Sequence, residues 1–370
     1  MSKCSSQDEL RRLATGRLDY HPCRRESWEW RDGVNKIRAK APLRVSYAGG
    51  GTDVPPYPGL KGGVVLSSTI QNYAYCSITP RSDGMVTVSR EDQDVTIGPE
   101  RLGELKGSGE VEFVRAVAKR FGVDHGFDAG LRYDALPGTG LGSSSALCVA
   151  LIGAFREWKG TSMTDYEIAN LAYDVERKDV GIPGGLQDQY ASTFGGFNLI
   201  EFKKESNIVN PLRIKRETLN ELEYSSLLCF TGTTRRSGGI LQRQIESYEH
   251  KESKVMAALE RMKELTLQMK DSLLTGNLTE FASLLNSEWV TKKALDSAIS
   301  TDDVDKLLHA ARESGAIGGK LLGAGGGGFL FLYCEPGKQV HVEKAVERLG
   351  GKAFPVRFDL EGLQTWRSPK

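Results

Sequence analysis

Two periods alternate along this chain, and together they lay out its elements. From Ile37 to Ala48 the apolar positions fall on every second residue, with Ile37, Ala39, Ala41, Leu43 and Val45 as one face. That is the pattern of a strand with one side on a core. Val64–Ile70, Tyr73–Thr79 and Met85–Arg90 predict further strands, with Asp83-Gly84 as the hairpin turn between the last two. The period then lengthens to that of a helix over Glu112–Phe121, and Gly122 sits where a C-terminal cap glycine belongs. Gly130–Ala135 predicts a short strand. Thr164-Asp165-Tyr166-Glu167 is a capping box, and the helix it opens carries Ile168, Leu171, Ala172 and Val175 on one stripe. Strands follow at Phe197–Phe202 and Leu227–Thr231, then a long charged amphipathic region at Ile240–Leu274 and a helix at Asp302–Arg312. The length allows two domains, or one large α/β domain with a cap. There is no internal repeat. The charged stretch Ile208–Tyr224 marks the boundary between two domains, which a chain of 370 residues is long enough to hold.

Three glycine clusters punctuate this pattern: Gly49–Asp53, Gly138–Ser145 and Gly323–Gly328. The second is the most informative. Pro137–Ala146 reads P-G-T-G-L-G-S-S-S-A and opens onto the apolar run Leu147–Phe155, long enough to begin a helix. Glycines admit positive φ and let a ligand approach the backbone. The first amides of a helix have no internal partner and point outward. Together they make an anion site suited to phosphate. A plain turn needs one or two glycines, not this spacing plus three hydroxyls. The third cluster, Lys320–Phe329, leads into an apolar strand ending at Cys334, in the order helix, glycine loop, strand, with Lys320 read as a loop residue.

One acid stands out from its helix. The row from Ile168 through Ala172 continues to Glu176, which places a carboxylate on the apolar edge near a helix C-terminus. Burial and the helix dipole both disfavour it there, so it needs a cationic partner. Arg177 or Lys178 could serve, but adjacent residues do not face each other on a helix, and a metal ion is the sharper reading. Downstream, Gly181-Ile182-Pro183-Gly184-Gly185-Leu186-Gln187-Asp188-Gln189 is a glycine turn that delivers a second acid. Thr231–Ser237 is a loop bearing Arg235 and Arg236.

Composition narrows the chemistry. A net charge of +1 gives no basis for nucleic acid or an acidic membrane as a partner. Six scattered cysteines without C-x-x-C spacing argue against a metal cluster or disulfide framework and point to a reducing cytoplasm. The N-terminus does not read as a signal peptide. The uncharged span Ala135–Phe155 is glycine, serine and proline in its first half, so a buried loop and helix explain it better than a membrane crossing. Several signatures nearly fit. Gly315–Lys320 is one residue short of a Walker A loop. Gly323–Gly328 matches G-x-G-x-x-G without the strand before and helix after that a dinucleotide fold needs. Ser144 lacks the closing glycine of a nucleophile elbow, and none of the five histidines sits in a glycine turn. Phosphate cradles without placed histidines suit phosphoryl transfer, which asks mainly for positioning and charge neutralisation. Ser144 and Glu176 are then candidate oxygen ligands for Mg²⁺, Asp188 the free acid, and Arg44 and Arg235 candidate cations for the transferred charge.

In this order the three clusters resemble the GHMP sugar and metabolite kinases. Pro42-Leu-Arg44 through Asp53 is similar to that family's first motif, Pro137–Ala146 to its glycine-serine phosphate loop and Lys320–Phe329 to its third. The resemblance runs from about Ile37 to the C-terminus. Within the family, Ala41–Asp53, Thr231–Arg235 and Gly318–Phe329 are similar to the heptose 7-phosphate kinases and related fucokinase domains. The resemblance implies a two-domain α/β (α+β) fold: an N-terminal nucleotide domain with a left-handed βαβ unit over 37–210, a ferredoxin-like domain over 211–370, and an extension over 1–36. It implies ATP bound by Pro137, Gly138, Gly140, Leu141, Gly142, Ser143, Ser144 and Ser145, and Mg²⁺ held by Ser144 and Glu176. Asp188 is implied to accept or orient the proton of the attacking hydroxyl, and Arg44 to stabilise the phosphoryl group. Substrate is expected against Asp53, Gly51, Thr52, Gly185, Gly325 and Gly326, with Arg235 on a sugar phosphate. The expected reaction is phosphorylation of the anomeric hydroxyl of a heptose 7-phosphate in the cytoplasm. A second copy of the chain is the expected assembly partner. The alternatives are a kinase for fucose or galactose, and a sugar- and ATP-binding regulator without catalysis.

Overall fold

The computed structural model describes residues 34–369 apart from 136, 235–237 and 251. Its first sheet is built on two long strands. β1 (Val34–Ala48) pairs antiparallel with β2 (Gly63–Arg81), and the alternation seen in the sequence is the register of that pair. Ile37, Ala39, Ala41, Leu43 and Val45 are all buried. From Ala41 onward both faces of β1 are covered, and Arg44 and Tyr47 are buried there too. Pro42 sits beside a register shift, where its missing N–H costs no ladder bond. The segments Val64–Ile70 and Tyr73–Thr79 are one continuous strand, not two, because β2 serves different neighbours along its length.

Those neighbours are β5 (Gly126–Tyr133), β6 (Phe197–Phe202) and the two-residue β12 (Phe358–Asp359). β3 (Val86–Arg90) lies parallel to β5 and carries β4 (Val95–Glu100) at its outer edge, while β7 (Asn207–Pro211) pairs with β6. The path β13-β1-β2-β5-β3-β4 ends on β13 (Gln364–Pro369), so the end of the chain returns to the first sheet.

Between β1 and β2 lies the short helix α1 (Tyr57–Lys61), and α2 (Glu110–Arg120) follows β4, with Gly122 in the left-handed conformation after it. α3 (Ser143–Lys159) is buried on every side from Ser145 to Phe155, which is why that segment is apolar without a stripe. Each Leu or Ile withdrawn from water there contributes about 1.5–3 kcal/mol. α4 (Asp165–Asp174) starts on the expected capping box, with the Glu167 amide donating to Thr164 and the Thr164 amide to the Glu167 carboxylate. It continues into a π-turn over Val175–Asp179, and α5 (Gln187–Phe194) follows.

The second sheet is antiparallel with the order β11-β8-β10-β9, formed by β8 (Ser226–Phe230), β9 (Ala316–Leu321), β10 (Phe329–Cys334) and β11 (Lys352–Pro355). Helices α6 (Arg216–Ser225), α7 (Gly238–Glu249), α8 (Ser253–Thr275), α9 (Leu278–Lys293), α10 (Asp302–Glu313) and α11 (Gln339–Glu347) complete it. With α7–α10 crossing from β8 to β9 and α11 from β10 to β11, this is the ferredoxin-like arrangement. The long amphipathic region is therefore split into α7 and α8. A strand precedes the third glycine cluster, contrary to the order helix, loop, strand. Residues 322–328 turn the β9–β10 hairpin, and no helix follows them as a dinucleotide fold would need.

Candidate active site

The three glycine clusters meet. Gly138, Gly140 and Gly142 all have positive φ, at 83°, 83° and 75°, which bends the loop back on itself before α3 begins at Ser143. At Gly140 the need for glycine is doubled, since a Cβ there would lie 2.7 Å from the Leu322 carbonyl oxygen of the third cluster. The Phe329 amide donates to the Thr139 carbonyl at 2.9 Å, closing the same contact. The first cluster joins through Arg44, whose amide donates to the Leu141 carbonyl at 3.0 Å and whose Nη1 donates to the Gly140 carbonyl.

Around this junction is one cleft. Gly51, Asp53, Gly138, Gly140, Gly142, Ser143, Ser144, Ser145, Glu176, Gly185, Asp188, Arg44 and Gly325 all line it. Four of the expected residues do not. Pro137 and Gly326 lie beside it, and the Gly326 amide donates to the Ile299 carbonyl. Leu141 is in the core. Thr52 is buried and gives its hydroxyl to the carbonyls of Gly49 and Val64, so it ties the first glycine loop to β2 and does not face a ligand. Arg235 and Arg236 lie outside the described residues.

Within the cleft, two acids have distinct settings. Asp188 stands in the first turn of α5, one place past Gln187, and is paired rather than capping. Arg44 Nε donates to its Oδ1 at 2.8 Å, and Nη2 lies at 2.8 Å from the same oxygen. Asp53 is fully buried and accepts the amides of Gly51 and Gln187, at 2.9 and 3.1 Å, and Gln187 Nε2 at 3.2 Å. Burial raises its carboxyl above the usual carboxylate range, and the bonds from Gly51 and Gln187 oppose that. Gly185 has to be glycine for this reason: a Cβ would lie 1.9 Å from Asp53 Oδ2.

Glu176 is buried, as its helix row implied, and three neutral donors hold it. Ser144 Oγ donates to Oε1 at 2.7 Å; Ser145 Oγ and Gln189 Nε2 each donate to Oε2 at 2.6 Å. Arg177 also reaches it, at 3.4 Å from Oε1. The π-turn is the reason that adjacent residues meet here, because the wider turn breaks ordinary helical spacing. The rest of the Arg177 guanidinium donates to the carbonyls of Ile182 and Gly185 and shapes the turn that delivers Asp188. The donor set fits a hard cation. Ser144 Oγ and Glu176 Oε1 stand near the separation of adjacent ligands on an octahedral Mg²⁺, about 2.9 Å. Among the described residues there is no group of three or more His, Cys, Asp or Glu side chains placed to hold a metal, but Mg²⁺ keeps waters and substrate phosphates and needs only one or two carboxylates.

Sequence reasoning missed a buried ionic group beside the cleft. Glu288 and Lys292 sit one turn apart on α9, and Lys320 faces them from β9, buried rather than on a loop. Lys320 Nζ donates to the Tyr47 carbonyl at 2.7 Å and lies 3.6 Å from Glu288 Oε1, which also accepts the Gly49 amide at 3.0 Å. Lys292 lines the cleft and donates to the Gly323 carbonyl. Burial lowers both ammonium groups, that of Lys292 to about 7, and raises the Glu288 carboxyl. The signal was present: Phe281, Leu285, Glu288 and Lys292 continue one apolar row, as Ile168, Ala172 and Glu176 do.

Residues 111–196 match the GHMP kinases N terminal domain and residues 269–353 the GHMP kinases C terminal. The D-glycero-alpha-D-manno-heptose 7-phosphate kinase of Campylobacter jejuni is 37% identical over 345 residues, covering 90% of this chain and 100% of that protein. A crystal structure titled D-glycero-D-manno-heptose 1-phosphate kinase from Bacteroides thetaiotaomicron superposes with a TM-score of 0.74 at 35% identity, over 90% of this chain and 99% of that one. Lactococcus lactis galactokinase complexed with galactose shares the fold, with a TM-score of 0.73 at 18% identity over 90% of this chain and 96% of that one. No described helix is long and apolar enough to cross a membrane.

Proposed function

Because the chain belongs to the GHMP kinase family, we propose that it is an ATP- and Mg²⁺-dependent sugar kinase that phosphorylates the anomeric hydroxyl of D-glycero-D-manno-heptose 7-phosphate. The observation that carries this is the pairing of Arg44 with Asp188 beside the glycine loop. One residue touches both the acid that would meet the acceptor hydroxyl and the loop that would cradle the phosphates. The name of the Campylobacter relative supports the choice of acceptor.

On this reading residues 37–210 carry ATP and residues 211–370 form the second domain, with its last two strands returned to the first sheet. The α3 N-terminus and its preceding glycines bind the ATP phosphates through backbone amides. Ser144 and Glu176 hold Mg²⁺, which when bound neutralises phosphate charge and fixes its geometry. Asp53, Gly51 and Gly185 form the acceptor side. Asp188, fixed by Arg44, orients the attacking hydroxyl and takes its proton. Arg44 faces the phosphoryl group during transfer, where charge stabilisation is the main catalytic term.

The test is ADP release with Mg-ATP against heptose 7-phosphate, free heptose, fucose, galactose and mannose. Asp188→Asn should lower kcat by about 10²–10⁴ with little change in acceptor KM. Turnover confined to heptose 7-phosphate supports the proposal. Turnover on a free hexose instead would replace the acceptor, and binding of ATP and sugar without turnover would turn the reading to a regulator.

A further inference from the structure

Of the cations that line the cleft, two are already tied to several protein groups. Arg44 is engaged by Asp188 and Gly140, and Arg177 by Glu176, Ile182 and Gly185. Lys292 is not. It is 5% exposed and lines the cleft, and among the described residues its ammonium makes one hydrogen bond, to the Gly323 carbonyl. An ammonium has three N–H donors. Glu288, one turn back on α9, makes no hydrogen bond to it: Oε1 pairs with Lys320 at 3.6 Å and accepts the Gly49 amide, and Oε2 is without a hydrogen-bond partner among the described residues. A buried cation with spare donors is costly unless something anionic completes it. The Gly323 carbonyl that it touches belongs to the loop packed on Gly140, the glycine whose carbonyl Arg44 holds.

We propose that Lys292 is a phosphate-binding residue of this cleft, donating to a phosphate oxygen opposite Arg44. This rests on the phosphoryl-transfer reading given above. The phosphate is either the one transferred from the nucleotide or the one already on the acceptor. Both present the same dianionic oxygens, and the two are separated by experiment. The groups facing Lys292 are Glu288 on its own helix, Lys320 from β9, Arg44 from β1 and Asp53 from the loop after β1. Burial keeps its ammonium near neutrality in the free protein, so raising the pH through about 7 removes the proton and with it the charge and a donor.

Lys292→Met and Lys292→Arg are compared with the parent protein in steady-state turnover. Loss of a charge-assisted hydrogen bond predicts a fall in kcat/KM of about tenfold to a hundredfold in Lys292→Met. If the bound oxygen belongs to the transferred group, kcat falls or KM for Mg-ATP rises, and KM for heptose 7-phosphate is unchanged. If it belongs to the acceptor, KM for heptose 7-phosphate rises and KM for Mg-ATP is unchanged. Lys292→Arg should restore most of the loss. It should also flatten the decline of kcat/KM above pH 7, because arginine keeps its charge.

Inorganic phosphate, titrated calorimetrically against parent and Lys292→Met, reads the site even if the acceptor has been misassigned. The parent should bind it at least about tenfold more tightly. Melting curves establish that both variants are folded. Unchanged kinetics, pH profile and phosphate affinity in folded Lys292→Met overturn the proposal. Phosphate binding lost in Lys292→Met while no sugar is turned over by the parent would keep Lys292 and discard the sugar-kinase reading.

Discussion

Glu176 and Glu288 are the two most deeply buried glutamates described here, and the surroundings of each are opposite in kind. Glu176 is 1% exposed and rests on two serine hydroxyls and a glutamine amide, with Arg177 at the longer distance of 3.4 Å. Glu288 is 0% exposed and rests on Lys320 and a backbone amide of the first glycine loop. Hydroxyls rotate and release a carboxylate to a cation at small cost. A buried lysine does not, because it would itself be left unpaired. On the proposed reading, the same residue type on the same kind of helix row is a ligand in one place and a fastener in the other. Glu288 and Lys320 tie α9 and β9 to Tyr47 and Gly49, which holds the third glycine loop against the first.

The sharpest way to break this comparison is to remove the fixed charge. Glu288→Gln should destabilise the protein by about 3–5 kcal/mol, since two buried ammonium groups lose their nearest counter-charge. Urea unfolding measures it. Glu288→Leu combined with Lys320→Met should recover part of the loss, because an apolar pair replaces a broken ion pair. A loss below about 1 kcal/mol for Glu288→Gln would mean that it is no fastener.

The converse change comes next in size. Glu176→Gln keeps one oxygen, for Ser145 and Gln189, and replaces the other with an amide NH₂ that can donate to the Ser144 hydroxyl, so its cost in stability should stay within about 1–2 kcal/mol. Turnover should fall at least about 100-fold, equivalent to about 2.7 kcal/mol of barrier, and the Mg²⁺ concentration for half-maximal rate should rise. Normal turnover with normal Mg²⁺ dependence would return Glu176 to a purely structural role.

Both regions were open to sequence reasoning, but to different degrees. The strand β1, the helix caps at Thr164 and Gly122 and the glycine loop before α3 were legible because each depends on local chemistry: alternation, a capping box, glycines at fixed offsets. Glu176 was legible because a charge interrupted an apolar row. Glu288 and Lys292 break a row in the same way, but they sit a turn apart with opposite signs, which reads as a solvated i, i+4 pair. Only the tertiary partners, Lys320 from β9 and Gly49 from the first loop, reveal that they are buried. The Arg177 contact was missed because nothing in Val175–Asp179 announces a π-turn. The single strand β2 was split in two because Gln71 and Asn72 look like a turn, whereas Gln71 donates to the Arg357 carbonyl brought in from the chain end. Long-range pairing of that kind leaves no local mark.

The smallest expected effect tests whether Glu176 is placed by its own turn or by the whole of α4. Thr164 caps the start of α4, and Glu176 lies in the π-turn beyond its other end. Thr164→Ala removes one side of the capping box and should cost about 1 kcal/mol of stability, read as a lower melting temperature. If Ser144, Ser145 and Gln189 fix the carboxylate, then fraying at the distant end does not reach it. Turnover and Mg²⁺ dependence well below the melting temperature should match the parent, as expected for separated sites without shared partners. A fall in turnover beyond that seen in an equally destabilised variant elsewhere would place control of Glu176 in the register of α4. Its hold would then be as rigid as that of Glu288, and the contrast between ligand and fastener would fail.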